Sequence, residues 1–256
     1  MYRVMSEPDP HDPSSSAFPS PRTLLAPISA PSRKRLGIYR PWFNDAPQEI
    51  TSLCNTTIDK LVADSGYELI ELPTIPYLNE GRLAHALSII TEMATFTNGD
   101  VSSYNAPNQI LLSVASRTPA VDFNYANKVR NMFMSHFASL WEQHPGMILV
   151  TPTTPMPGVK IHKAHLSAGV SDTNKSVQSM RYVFLANFIG TPSLSAPVGY
   201  LDNNIPVGLM GLAEWGREED LFGWGKDVAN GFAKGSGRKR GEVWADVLSG
   251  VDNTTK

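Results

Sequence analysis

Cysteine is almost absent from the sequence, because Cys54 is the only one among 256 residues. A single cysteine excludes an internal disulfide and a zinc site built from several thiolates. Low cysteine usage is also typical of a reducing compartment. We therefore expect a cytoplasmic protein.

Long apolar runs and an excess of charge of one sign are also lacking. No stretch approaches the run of about 20 apolar residues that spans a bilayer, and the first residues lack the apolar core of a signal peptide. The 22 Lys and Arg residues nearly balance the 24 Asp and Glu residues, and the formal net charge is -2. We therefore expect that the protein binds neither membranes nor nucleic acids.

Composition divides the chain into three parts. Residues 1–35 form a Pro- and Ser-rich segment without hydrophobic periodicity, which predicts irregular structure. Residues 36–233 carry the periodic apolar patterns of a globular domain. Residues 234–256 begin with a basic run, which predicts a mobile tail.

The globular part alternates between strand and helix patterns. We predict strands at 36–39, 68–72, 147–150, 193–197 and 207–210, and helices near 45–65, 79–95, 109–115, 122–144, 175–188 and 218–233. The spacing of Asp45 and Gln48 predicts a capping box at the first helix, and Leu83 is placed on the buried face of the second. This alternation indicates an α/β domain.

Three segments carry a recognisable combination of motifs. They are ILVTPTTP at 148–155, FLANFIGTPSLSAPVG at 184–199, and IPVGLM at 205–210. Taken singly, each predicts only a stiff loop after a strand, a helix stop, or a close backbone approach. Taken together and in this order, they resemble the C-terminal portion of the amidase-signature hydrolases.

The resemblance extends over residues 2–232, and two further segments resemble fungal members of that family most. These segments are IYRPWFND at 38–45 and EWG at 214–216. The resemblance implies part of an amidase-signature fold, in which helices flank a mixed sheet. It also implies hydrolysis of a carboxamide C–N bond to a carboxylate and ammonia, without a cofactor.

The catalytic residues implied by the resemblance are not found in this sequence. Enzymes of the family use a serine that is activated through a second serine and a lysine, within a Gly- and Ser-rich segment that also supplies the oxyanion hole. Residues 2–13 resemble the stretch that follows this segment. We therefore assign no catalytic residue and expect a truncated protein that is inactive alone, whose sheet would leave apolar faces exposed.

The resemblance places the wall of a substrate pocket at Thr153, Thr154 and Arg181. Their expected partner is a small-molecule amide, provided that an N-terminal half completes the site. Two other roles remain open from the residues themselves. The threonine hydroxyls are equally suited to turn hydrogen bonds, and Arg181 to a surface contact.

Other groups that could carry chemistry lack the necessary pattern. Ser176 and Ser179 lie near Lys175 but without a known nucleophile spacing. His162 and His165 are three residues apart, but no acidic residue completes a metal motif with them in the sequence, so we expect no metal site. Cys54 lies on an apolar helix face, which favours a core residue.

Three interpretations of function remain open. The chain is an amidase that needs its N-terminal half, or a non-catalytic remnant that binds a ligand or partner, or an interaction module that uses residues 235–256. In the third case Val243, Trp244, Val247 and Leu248 would form a small apolar face. A homo-oligomer is compatible with all three.

Overall fold

The structure of the protein is a computed structural model that describes residues 7–12, 34–163 and 172–233. Most of the predicted irregular segment 1–35 and the whole predicted tail 234–256 therefore lie outside the described residues. No helix within the described ranges is long and apolar enough to cross a membrane.

Strands and helices alternate along the described residues, close to the predicted positions. The strands are β1 (Arg35–Ile38), β2 (Glu68–Glu71), β3 (Met147–Pro152), β4 (Ser193–Tyr200) and β5 (Pro206–Leu212). The helices are α1 (Arg40–Phe43), α2 (Gln48–Ser65), α3 (Leu78–Phe96), α4 (Ala106–Ala115), α5 (Ala120–Gln143), α6 (Thr173–Ile189) and α7 (Glu218–Ala233). A short 3-10 helix (Asp202–Asn204) connects β4 to β5.

The five strands form one mixed sheet in the order β2-β1-β3-β5-β4. β1 pairs in parallel with both β2 and β3, whereas β5 runs antiparallel to β3 and β4. The α/β class and the mixed sheet flanked by helices are thereby confirmed.

Helices cover both faces of this sheet. On the first face, α3, α5 and α6 pack over side chains such as Leu149, Met210 and Leu212. On the second face, α2 and α7 pack over side chains such as Ile38 and Val150. The expected exposure of bare apolar sheet faces is therefore wrong for the described residues, because these helices bury the strand side chains from both sides.

Two helix ends show how local sequence sets the boundaries. α6 ends at Gly190, whose φ of 74° is a left-handed conformation that glycine adopts without strain. The predicted capping box at α2 is wrong, because Pro47 occupies the N-cap and no side chain caps the helix. The Asp45 carboxylate instead accepts a hydrogen bond from Arg181 on α6.

The buried stripe of α3 also differs from the prediction. Leu83 is 72% exposed, whereas His85 is only 4% exposed. The His85 ring lies 2.9 Å from the amide nitrogen of Asn187 on α6 and contacts the rings of Phe184 and Phe188. This hydrogen bond lets a polar ring occupy the core, and apolar periodicity alone cannot indicate such a position.

Candidate active-site wall

One edge of the sheet gathers most of the residues that the sequence singled out. The parallel strands β1 and β3 both end at this edge, β1 leading into α1 and β3 into Thr153. α1 packs against β3. The loops that follow the two strands are thereby neighbours, and carboxyl ends of parallel strands are where α/β proteins commonly bind ligands.

Thr153 and Ser195 form a pair of hydroxyl groups at this edge, which we call the hydroxyl pair. Their oxygens lie 2.6 Å apart, and either can donate to the other. Thr153 directly follows β3, whereas Ser195 lies on β4, two strands away in the sheet. Both lie on the first face, because Ala196 beside Ser195 and Val150 on β3 point into the core of the second face.

Gly208 on the intervening strand β5 makes this pairing fit. A Cβ atom at Gly208 would lie 2.6 Å from Thr153 Oγ1 and 2.7 Å from Ser195 Oγ. The Gly208 carbonyl also accepts a 2.9 Å hydrogen bond from the Thr153 backbone N–H. A glycine is therefore needed here for space, since any side chain would occupy the volume where the two hydroxyls meet.

A third hydroxyl lies on the same strand face. Thr151 precedes Thr153 by two residues on β3, so that both side chains project from the first face. Thr151 is 1% exposed, and its Oγ1 has no hydrogen-bond partner among the residues that the structure describes. Thr154 differs, because its hydroxyl donates to the Met156 carbonyl at 3.0 Å within the loop.

Arg181 belongs to a second cluster at this edge. Its guanidinium Nη1 donates to the Asp45 backbone carbonyl and, at 3.0 Å, to the Asp45 carboxylate. Its own carbonyl accepts from the Trp42 indole, and the neighbouring Tyr182 hydroxyl donates to the Phe43 carbonyl. These bonds fasten α6 to α1 and the loop after it.

The structure places the three predicted pocket residues in three different arrangements. Thr153 contributes to the hydroxyl pair, Thr154 to a loop turn, and Arg181 to the contact with Asp45. No hydrogen bond between the described residues joins Arg181 to either threonine. Ser195 was not predicted, because its partnership with Thr153 depends on the strand order β3-β5-β4, which no local pattern encodes.

The Cys54 thiol lies buried on the second face of the sheet, next to Gly208. Cys54 on α2 is fully buried, and its Sγ lies 3.8 Å from the Gly208 carbonyl oxygen. Burial raises the pKa of the Cys54 thiol to about 12. A thiol with so high a pKa is not a nucleophile at neutral pH, in keeping with the predicted core position.

The remaining candidate nucleophiles make ordinary structural contacts. The Ser176 hydroxyl donates to the carbonyl of Asp172, the N-cap residue of α6, and the Ser179 hydroxyl donates to the Ser176 carbonyl. Lys175 pairs with Asp172 at 3.6 Å. Within the described ranges no three or more His, Cys, Asp and Glu side chains are grouped to hold a metal ion. His165 lies outside these ranges.

This α/β architecture is that of amidases. The chain superposes on a crystal structure of an amidase with a TM-score of 0.66 at 14% identity, covering 80% of this chain and 47% of that one. It also superposes on a bacterial aryl acylamidase of the amidase-signature family with a TM-score of 0.62 at 18% identity, covering 85% of this chain and 46% of that one.

Sequence comparison identifies the family. The family model described as Amidase matches residues 1–222. A fatty acid amide hydrolase of Medicago truncatula is 31% identical over 225 residues, which cover 84% of this chain and 35% of the relative. An amidase of Pseudomonas putida is 25% identical over 227 residues, which cover 86% of this chain and 47% of the relative. The chain therefore belongs to the amidase family.

The match covers only part of each relative. The chain spans 31% to 36% of the length of the plant fatty acid amide hydrolases that it matches. It spans 42% to 50% of seven solved chains on which it superposes.

Proposed function

We propose that this chain supplies one wall of the substrate site of an amidase that hydrolyses a carboxamide C–N bond, and that it has no hydrolytic activity by itself. The observation that carries the proposal is the hydroxyl pair above Gly208, at the carboxyl end of β3, in a chain of the amidase family. Hydroxyl groups on a rigid sheet can hold the amide group of a substrate in a fixed orientation.

The absence of activity in the chain alone follows from what amide hydrolysis needs. The reaction needs a nucleophile with a proton acceptor beside it and preorganised donors for the oxyanion. Among the described residues no lysine amine hydrogen-bonds to a serine hydroxyl, and the one buried thiol has a raised pKa. In this proposal the chain corresponds to a C-terminal portion of a fungal-type amidase, and the nucleophile comes from a segment not present in this sequence.

The relatives support an acyl amide as the substrate class. The matched plant proteins are fatty acid amide hydrolases, and one solved relative is an aryl acylamidase. We therefore place an acyl amide in this site, with its amide group against the hydroxyl pair. A non-catalytic ligand-binding role is the alternative that the same geometry supports.

A chimera separates these two functions. In it, this chain replaces the matched segment of the Medicago truncatula relative, and hydrolysis of oleamide is measured. We expect hydrolysis by the chimera and none by the 256-residue chain alone. An inactive but folded chimera favours the ligand-binding role, whereas hydrolysis by the chain alone that one serine substitution abolishes would refute the proposal.

A further inference from the structure

β4 exposes a narrow polar strip on the first face of the sheet. On the second face of the sheet, α7 covers β4 and buries Ala196 and Val198. On the opposite side, Ser193, Ser195 and Pro197 are exposed. The hydroxyl pair therefore lies where the helices of the first face leave the sheet accessible.

The hydrogen-bonding capacity of the hydroxyl pair can be counted. Each hydroxyl carries one donor and two acceptor lone pairs. At 2.6 Å one hydroxyl donates to the other, which leaves one O–H donor and several lone pairs for a ligand. Thr151, two residues before Thr153 on the same strand face, has a buried hydroxyl with no partner among the described residues.

This capacity fits a neutral carboxamide better than a carboxylate. A primary amide offers a carbonyl acceptor and N–H donors, which match one O–H donor and the lone pairs beside it. A carboxylate only accepts, so it can use the one O–H donor, but its remaining lone pairs would face the lone pairs of the hydroxyls. No Lys or Arg within the described residues hydrogen-bonds to Thr153 or Ser195, and Arg181 at this edge is paired with Asp45.

We propose that Ser195, paired with Thr153 across Gly208, is a specificity-determining residue that holds a neutral carboxamide and discriminates against the carboxylate product. The inference rests on the proposed function, since it concerns the same site. Gly208 contributes by leaving the space in which the two hydroxyls meet. The discrimination also favours release of the acid once the amide bond is broken.

The test is ligand binding to the 256-residue chain, measured by backbone amide NMR with benzamide and benzoate at pH 7.5. We expect benzamide to shift the signals of Thr153, Ser195 and Gly208 and to bind about tenfold more tightly than benzoate, the effect of about one good hydrogen bond. Ser195→Ala and Thr153→Val should each reduce benzamide affinity about fivefold to tenfold and reduce the preference over benzoate.

Matched variants control for folding and for position. Thr153→Ser retains the hydroxyl and should restore the preference that Thr153→Val loses. Ser193→Ala removes a neighbouring exposed hydroxyl and should leave both affinities unchanged. The amide spectrum of each variant shows whether it folds, and Ser195→Ala keeps the test decisive if Thr153→Val does not fold.

The outcomes separate this inference from the proposed function. Equal affinity for benzamide and benzoate, or a benzamide preference that survives both Ser195→Ala and Thr153→Val, would overturn the role of Ser195 even if the chimera hydrolyses oleamide. A preference that depends on both hydroxyls, together with a folded but inactive chimera, would support the inference and reject the hydrolytic function.

Discussion

Gly208 is the residue on which the hydroxyl pair depends most directly. It lies on β5, between the strands that carry Thr153 and Ser195, and its missing side chain is what lets the two oxygens meet. The neighbouring strand backbone cannot move aside without breaking the hydrogen bond from the Thr153 N–H to the Gly208 carbonyl. An added methyl group must therefore displace the hydroxyls themselves.

We expect Gly208→Ala to lower the free energy of unfolding by about 1–3 kcal/mol, the range for overpacking a close contact. Gly223→Ala is the matched control, because a Cβ there meets no atom within 4 Å and the residue lies inside α7. That control should raise stability by up to about 1 kcal/mol through helix propensity. Urea denaturation of both variants measures the difference, and equal stabilities would contradict the close approach.

His85 makes stability depend on pH. Burial lowers the pKa of the His85 imidazole below its ordinary value of 6.5. As the pH falls below 6.5, the unfolded chain takes up a proton that folded His85 resists, so the free energy of unfolding decreases. Burial lowers the pKa of His136 in the same direction.

We therefore expect lower stability at pH 5.5 than at pH 7.5 in urea denaturation. His85→Leu should reduce this difference, leaving the contribution of His136, although it lowers stability at pH 7.5 by removing the hydrogen-bond partner of Asn187. An unchanged pH dependence in His85→Leu would show that His85 is not the titrating group.

At the scale of elements, α6 is held to α1 by side-chain hydrogen bonds at the edge of the sheet. Trp42, Tyr182 and the Arg181–Asp45 pair supply them. The pair is partly exposed, with 24% of the Arg181 side chain and 57% of the Asp45 side chain accessible. Solvent screening of such a pair limits its contribution to stability to about 1 kcal/mol or less.

Two substitutions separate a structural role of Arg181 from the predicted contact with substrate. Arg181→Ala and Asp45→Ala should each lower the free energy of unfolding by about 1 kcal/mol or less. If Arg181 binds substrate, only Arg181→Ala should also weaken benzamide binding in an NMR titration. Equal losses of affinity in both variants would assign Arg181 a purely structural role.

The helices and strands were predicted well from the sequence where a single periodic apolar face determines how the element packs. In α5 the apolar residues that recur at helical spacing, including Phe133 and Trp141, are buried. The predictions failed where a contact with a residue distant in sequence determines the position of a side chain. Asp45 is an example, because it pairs with Arg181 instead of capping α2. Ser195 shows the same limit at the site, because the strand order that brings it to Thr153 is a property of the assembled sheet.

At the scale of the whole molecule, exposed apolar side chains concentrate on α3, α4 and α5 rather than on the sheet. Phe96 is 85% exposed, Ile110 68%, Val114 61% and Val121 55%. α4 contains no charged residue between Ala106 and Ala115. Apolar surface of this kind commonly marks a site of association.

We expect the protein to bind a hydrophobic dye and to self-associate at high concentration. The double substitution Ile110→Lys and Val114→Lys should reduce both, measured by dye fluorescence and sedimentation velocity, because charges on this surface oppose its burial. Val177→Lys, at a valine 58% exposed on α6, is the control and should change neither. Similar reductions in both proteins would show that association does not involve α4.

The buried Cys54 thiol near Gly208 can be used to measure opening of the structure on this side of the sheet. Because Cys54 is fully buried with its Sγ 3.8 Å from the Gly208 carbonyl oxygen, a thiol reagent can modify it only after α2 separates from β5. The rate of Cys54 modification therefore measures how often α2 separates from β5, the strand that carries Gly208. A ligand that binds the hydroxyl pair should slow the modification of Cys54 without contacting the sulfur. The modification rate of this one cysteine therefore reports ligand occupancy on the opposite face of the sheet.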